Sequence, residues 1–218
     1  MFKDFDVKPF KKKKPPSDNS FDTAQEIKAL KKIPLRKDFV KKYDDIESAF
    51  AKTAKEQGVK DYDKKIAAKL IKESAPVILE LKKYHNRPRP YDLDSSLKAV
   101  KMKSMNTPSY PSGHSAQAIL IASALKDKYG KGSAFMQTAK NISDSRNIAH
   151  AHYPSDSKNG TELGKQMYKH IEDMKNPIQF ASAYKKKRKK NPCWKGYEMI
   201  GMKKKGGRKV PNCVPKKK

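Results

Sequence analysis

Apolar residues recur at helical spacing over most of this chain, and this pattern constrains the fold more than any other feature. Residues three and four apart share one face of a helix but alternate on a strand. The clearest example lies between positions 37 and 57, where the apolar residues are Phe39, Val40, Tyr43, Ile46 and Phe50. Strand-like alternation of apolar and polar residues is nearly absent. The sequence therefore predicts an all-α fold, a single helical-bundle domain over residues 20–180.

Start and stop signals divide the predicted domain into helices. Ser20 is a favoured cap, and Gly58 and Gly130 are favoured stops. Pro76 is expected to kink or interrupt a helix, and Pro154 to begin one. The predicted helices cover residues 22–32, 37–57, 61–82, 95–102, 114–129, 133–150 and 154–174. Two glycines four residues apart in the last helix, Gly160 and Gly164, predict close packing against a neighbouring helix.

The ends of the chain differ in composition from its middle. The formal net charge is +28, with 51 Lys and Arg against 23 Asp and Glu. Residues 1–19 contain the run Lys11–Lys14 and are predicted to form a flexible basic arm. Residues 181–218 are predicted to form a basic Lys-rich tail in which Trp194 and Tyr197 interrupt the charge. This balance favours anionic partners such as phosphate esters, nucleic acid or anionic surfaces.

Long apolar segments are also absent from the sequence. No run of about eighteen apolar residues occurs, so we expect no membrane span. Residues 1–16 lack the apolar segment of a secretory signal, which favours a cytoplasmic or virion-associated location. The two cysteines, Cys193 and Cys213, lie in the tail, so the domain needs no disulfide framework and the redox state of the pair stays open.

The stretch Ser145–Asp156 carries a guanidinium, two imidazoles and a carboxylate within twelve residues. His152 and Asp156 are four apart and would share one face of a helical turn. A carboxylate bonded to one ring nitrogen fixes the tautomer and leaves the other nitrogen free. The planar fork of Arg146 suits two phosphate oxygens. We assign no metal site, because no His, Cys and Asp grouping has metal-ligand spacing.

Two further motifs precede this stretch. Lys82 is followed after six residues by Arg89-Pro90, and Ser112-Gly113-His114 follows Pro111. A helix that starts at Ser112 or Gly113 would present free N–H groups and its positive dipole end to an anion. Arg87 lies outside these patterns and is left unassigned, and His85, His150 and His170 are given no role.

Read as K-x6-R-P, P-S-G-H and S-R-x5-H-x3-D, the three motifs resemble in order the signature of the type 2 phosphatidic acid phosphatase superfamily. The match spans Lys82–Asp156, and Ser109-Tyr110 resembles the soluble class A acid phosphatases. The resemblance implies the helical bundle of the acid phosphatases and vanadium haloperoxidases. It also implies hydrolysis of phosphate monoesters without a metal or other cofactor.

The resemblance also implies a role for each site residue. His152 is the nucleophile that forms a phosphohistidine, Asp156 orients it, and His114 is the general acid and base. Lys82, Arg89, Ser112, Gly113 and Arg146 bind the phosphate. The partner implied is a phosphorylated small molecule, whose identity the sequence does not give.

Two other functions remain open at this point. A vanadium-dependent haloperoxidase would share all three motifs, with the histidine ligating vanadium; known examples are longer. A nucleic-acid- or virion-associated binding protein would use the basic ends, with Trp194 and Tyr197 stacking on bases. The segment Cys193–Tyr197 also resembles short basic tails of marine bacteriophage proteins.

Overall fold

A computed structural model describes residues 1–175, 197–205 and 208–215. The chain divides into one unit of residues Met1–Ile171 and a second of Glu172–Lys218. Helices account for the regular structure of residues 1–175, so the predicted all-α fold class is confirmed. The α-helices are α1 (Lys8–Lys12), α2 (Phe21–Lys31), α3 (Lys37–Asp44), α4 (Ile46–Glu56), α5 (Lys65–His85), α6 (Pro90–Leu93), α7 (Gly113–Tyr129), α8 (Gly132–Ile148) and α9 (Pro154–Lys175).

The centre of the first unit is α7, which other helices surround. Its buried residues lie on more than one face, as expected of a helix with neighbours on several sides: Ser115, Ala116, Ala118, Leu120, Ile121, Ala122 and Leu125. It packs on α5, α8 and α4, and these elements contribute to one apolar core. Burial of this core is the main favourable term in folding. The site motifs stand at the ends of the helices around it.

Two glycines bring α9 close to α7. A Cβ atom on Gly160 would fall directly onto the Ser112 carbonyl oxygen, and one on Gly164 onto the Ala116 carbonyl oxygen. Backbone atoms cannot yield as a flexible side chain can, so only glycine fits at both positions. The close packing predicted from these glycines is confirmed, and it sets α9 against the start of α7.

The single helix predicted over residues 37–57 is in fact two helices. Asp45 is extended, with ψ of 103°, and its side chain accepts hydrogen bonds from the backbone N–H of Ser48 at 3.1 Å and its hydroxyl at 2.8 Å. A side chain that caps a new helix competes with continuation of the old one. The spacing of apolar residues does not reveal such a break, because α3 and α4 both bury apolar residues and both pack on α8.

Other boundaries also differ from the predictions. Helix α5 runs through Pro76 without interruption, since it buries an apolar face on both sides of that residue. The helix predicted over residues 95–102 is absent from this described segment. The chain instead forms the short α6 and a 3-10 helix at Lys103–Met105. Aspartate turns account for the change: the Asp94 side chain accepts from the Ser96 backbone N–H at 3.0 Å.

Residues 1–19 belong to the first unit and do not form the separate arm that was predicted. Phe2 is buried in the core, and the terminal amine contacts Glu73 Oε2 at 2.7 Å. The Lys13 carbonyl accepts from the Tyr110 hydroxyl at 2.7 Å. Aromatic residues between the charged ones anchor this segment. The predicted flexible arm rested on the lysine run and gave these aromatic residues no weight.

The described part of the second unit contains a two-stranded antiparallel pair, β1 (Tyr197–Lys205) and β2 (Arg208–Pro215). The predicted tail over residues 181–218 lies largely outside the described residues, as do Cys193 and Trp194. No helix in the described part of the chain is long and apolar enough to cross a membrane.

Candidate active site

His152 lies in the turn between α8 and α9, outside both helices, as the predicted helix bounds imply. Beyond α8, His150 has a positive φ of 55°, which reverses the chain so that the Ala151 N–H donates to the Arg146 carbonyl at 3.0 Å. The amide of Asn147 donates to the His152 carbonyl at 3.1 Å. His152 is 4% exposed. The hydrogen bonds of this turn therefore hold the candidate nucleophile in a buried position.

Asp156 reaches His152 because it caps the helix that follows. As the third residue of α9, it accepts at Oδ2 from the Tyr153 backbone N–H at 3.1 Å, as the acid of a capping box does. The same oxygen lies 3.3 Å from His152 Nδ1. The predicted pairing of these side chains is therefore present, although it arises from a helix start.

The surroundings of His152 fix its tautomer. A carboxylate only accepts, so Nδ1 carries the proton; Arg89 Nη1, which only donates, lies 3.4 Å from Nε2. Burial lowers the pKa of His152 to about 3, against the effect of Asp156. At neutral pH the ring is therefore neutral, with a lone pair on Nε2, which is the form a nucleophile requires.

Arg87, which sequence reasoning left unassigned, anchors Asp156. Its Nη1 donates to Asp156 Oδ1 at 2.7 Å and its Nη2 to Glu26 Oε2 at 2.9 Å. The guanidinium also stacks on Tyr153, 3.7 Å from the ring centroid. Burial favours a neutral Asp156, but the His152 hydrogen bond and Arg87 keep its pKa below the ordinary value. Arg87 stands two residues before Arg89, and only this adjacency hinted at a role.

Lys82 and Arg89 are buried cations without a carboxylate within ion-pair distance among the described residues. The ammonium of Lys82 donates to the Pro108 carbonyl and to the Ser109 carbonyl at 3.3 Å. Arg89 donates to backbone carbonyls, including Ala151 at 2.7 Å and Thr107 at 2.9 Å. Burial, with the charge of Arg89, lowers the pKa of Lys82 to about 7. Buried cations that lack a nearby carboxylate favour the binding of an anion, which would compensate their charge.

The start of α7 adds backbone donors to the cluster. Ser112 is buried and caps α7, accepting from the Ser115 N–H at 3.4 Å. Its own N–H donates to the Asp156 carbonyl at 3.0 Å, which joins the second and third motifs. Among the described residues, no acceptor contacts the N–H groups of Gly113 and His114, as expected in the first turn of a helix. A Cβ atom on Gly113 would lie 3.9 Å from Lys82 Cε, so these donors stand beside the Lys82 side chain.

Arg146 and His114 are joined by Asp44, which sequence reasoning did not single out. Arg146 Nη1 donates to Asp44 Oδ1 at 2.8 Å, and His114 Nε2 lies 3.1 Å from the Asp44 carbonyl oxygen. Arg146 is 1% exposed, yet its Nη2 has no hydrogen-bond partner in the described part of the chain. This N–H group therefore keeps donor capacity for an anion.

Electrostatics link the two histidines. Burial and the charges of Arg146 and Lys82 lower the pKa of His114 to about 4, and Lys82 also lowers that of His152. Both imidazoles therefore lie within the field of one ammonium group. Among the eight predicted site residues, direct contacts join His152, Asp156, Arg89 and Ser112. Asp44 joins His114 to Arg146, and Gly113 adjoins the Lys82 side chain.

The remaining histidines lie outside this cluster. His150 binds the carbonyls of Lys98 at 2.7 Å and Ile33 at 3.0 Å and so holds two loops together. His85 binds the Phe10 carbonyl at 3.0 Å, and His170 packs on Phe2 and Phe5. Within residues 1–175, 197–205 and 208–215, no group of three or more His, Cys, Asp or Glu residues could hold a metal ion.

Comparison with known proteins adds no assignment: no protein-family model matches the chain, and no curated protein matches it.

Proposed function

We propose that this protein hydrolyses phosphate monoesters without a metal ion, through a covalent phosphohistidine on His152. One observation carries the proposal. The buried His152 ring is held with Nδ1–H on Asp156 and a lone pair on Nε2, near Lys82 and Arg89, which have no carboxylate partner among the residues the structure describes. A neutral nucleophile surrounded by positive charge suits attack on a dianionic phosphoryl group.

In the first step, His152 Nε2 attacks phosphorus and the bond from phosphorus to the ester oxygen breaks. The ring becomes cationic, and the Nδ1–H bond to Asp156 stabilises that charge. His114, which carries a proton once the dianionic substrate is bound, gives that proton to the departing oxygen, so that an alcohol leaves. Lys82, Arg89, Arg146 and the N–H groups of α7 bind the oxygens that carry the transferred charge.

In the second step, water attacks the phosphorus of the phosphohistidine. The neutral His114 takes a proton from that water, the P–N bond breaks, and inorganic phosphate leaves with His152 restored. Each residue thus returns to its starting state. No redox partner is needed, because the reaction is a phosphoryl transfer to water.

The test uses the full chain with aryl and alkyl phosphates, in the presence of a chelator. We expect turnover by the unsubstituted protein and none by His152→Ala. His170→Gln is the matched control, because that ring packs on Phe2 and Phe5, and it should keep full turnover. Rapid quenching with a labelled substrate should trap a phosphoenzyme that is stable in base and labile in acid. Normal turnover by His152→Ala would reject the proposal.

A further inference from the structure

The break between α3 and α4 places two oxygen acceptors of one residue beside the His114 ring. The Asp44 carbonyl oxygen lies 3.1 Å from His114 Nε2, and Asp44 Oδ1 lies 3.6 Å from the same nitrogen. Since both oxygens only accept, Nε2 carries the proton in the neutral ring and Nδ1 holds the lone pair. The ring is therefore oriented by the residue that also binds Arg146.

The local sequence frees the Asp44 carbonyl for this contact. In an uninterrupted helix that carbonyl would accept from the N–H of Ser48, four residues on. Here the side chain of Asp45 takes the Ser48 N–H at 3.1 Å, and α3 ends at Asp44. The carbonyl at the end of α3 then has no partner within its own helix, and His114 supplies one.

Charges from three helices face His114. Arg146 of α8 and Lys82 of α5 disfavour a protonated ring, as does burial. Asp44 of α3 is the acidic residue of this group, and both its carbonyl and its charge favour the protonated ring. A general acid between two cations depends on such a counter-charge, because it must carry a proton when the substrate binds.

We propose that Asp44 is a positioning residue for His114: it holds Nε2–H, turns Nδ1 towards the leaving-group oxygen, and stabilises the protonated ring beside Arg146 and Lys82. The assignment of Nδ1 to the leaving group rests on the function proposed above. The tautomer and the proton affinity of the ring are properties of the resting protein and do not depend on turnover.

Imidazole NMR of the full chain tests this directly, since there are five histidines and His114→Asn identifies the signal. We expect neutral His114 to be the Nε2–H tautomer. Asp44→Asn keeps the carbonyl but removes the charge, and should lower the pKa of His114 by about one unit, a tenfold loss of proton affinity. Asp44→Glu should restore most of the lost proton affinity of His114. Asp38→Asn, which removes an exposed carboxylate from the same helix, should leave it unchanged.

Kinetics add a second readout. Asp44→Asn should slow alkyl phosphates, whose leaving group needs a proton, about tenfold more than aryl phosphates. An Nδ1–H tautomer, or an unchanged His114 pKa in folded Asp44→Asn, would overturn the role of Asp44. If Asp44→Asn does not fold, the tautomer of His114 in the unsubstituted protein still tests the role of Asp44. An inactive unsubstituted protein with the expected NMR result would count against the proposed function alone.

Discussion

Arg87→Met tests whether the anchor behind Asp156 sustains both stability and turnover. The Arg87 side chain is 1% exposed and Asp156 is 0% exposed, so removal of the guanidinium leaves a buried carboxylate without its ion-pair partner. Removing one partner of a buried pair costs about 3–5 kcal/mol. Glu26, 15% exposed, can recover hydration, and methionine retains apolar contact with Tyr153. We therefore expect the free energy of unfolding to fall by about 3 kcal/mol, near the lower end of this range.

The assay is urea unfolding at pH 7, with the slope of free energy against urea compared between variants. Arg36→Met is the matched control, because Arg36 is exposed on the same unit and its guanidinium also lies over an aromatic ring, that of Phe39, at 4.6 Å; it should change stability by no more than about 1 kcal/mol. Folded Arg87→Met should also turn over up to about 100-fold more slowly, because a displaced Asp156 misorients His152. A stability loss below about 1 kcal/mol would refute the reasoning.

Four further predictions concern other parts of the molecule. Gly164→Ala should destabilise by about 1–3 kcal/mol in chemical unfolding, because its Cβ meets backbone of α7; a neutral effect would show that α9 can shift. Asp45→Ala should cost about 1 kcal/mol in the same assay through loss of the α4 cap, and an unchanged midpoint would contradict that role. For aryl phosphates, kcat/KM corrected for substrate ionisation should fall as the pH rises through about 7, where Lys82 loses its proton; an unchanged Lys82→Arg profile would exclude Lys82 as the cause. The free energy of unfolding should fall as the pH drops below about 6.5, because the lowered pKa values of His114 and His152 mean that the unfolded chain binds protons first; a slope unaltered in His114→Gln would contradict this.

Helix positions followed from local pattern, and the structure differs where local signals compete. Apolar spacing, together with start and stop signals, predicted α7, α8 and α9 to within about two residues. The same spacing could not show the break at Asp45, where a side-chain cap outweighs helix continuity. The aspartate turn at Asp94 likewise replaces the helix predicted over residues 95–102.

The sequence by itself determined an all-α fold and the order and spacing of three polar motifs, because helical periodicity and residue spacing are local properties of the chain. Only the tertiary structure decided that Asp44, Glu26 and Arg87 join the site. Asp44 is 102 residues from Arg146, and Glu26 is 61 from Arg87. Partners so distant in sequence are brought together by how the helices pack. The role of each carboxylate can therefore be identified only once the structure shows which cation lies against it.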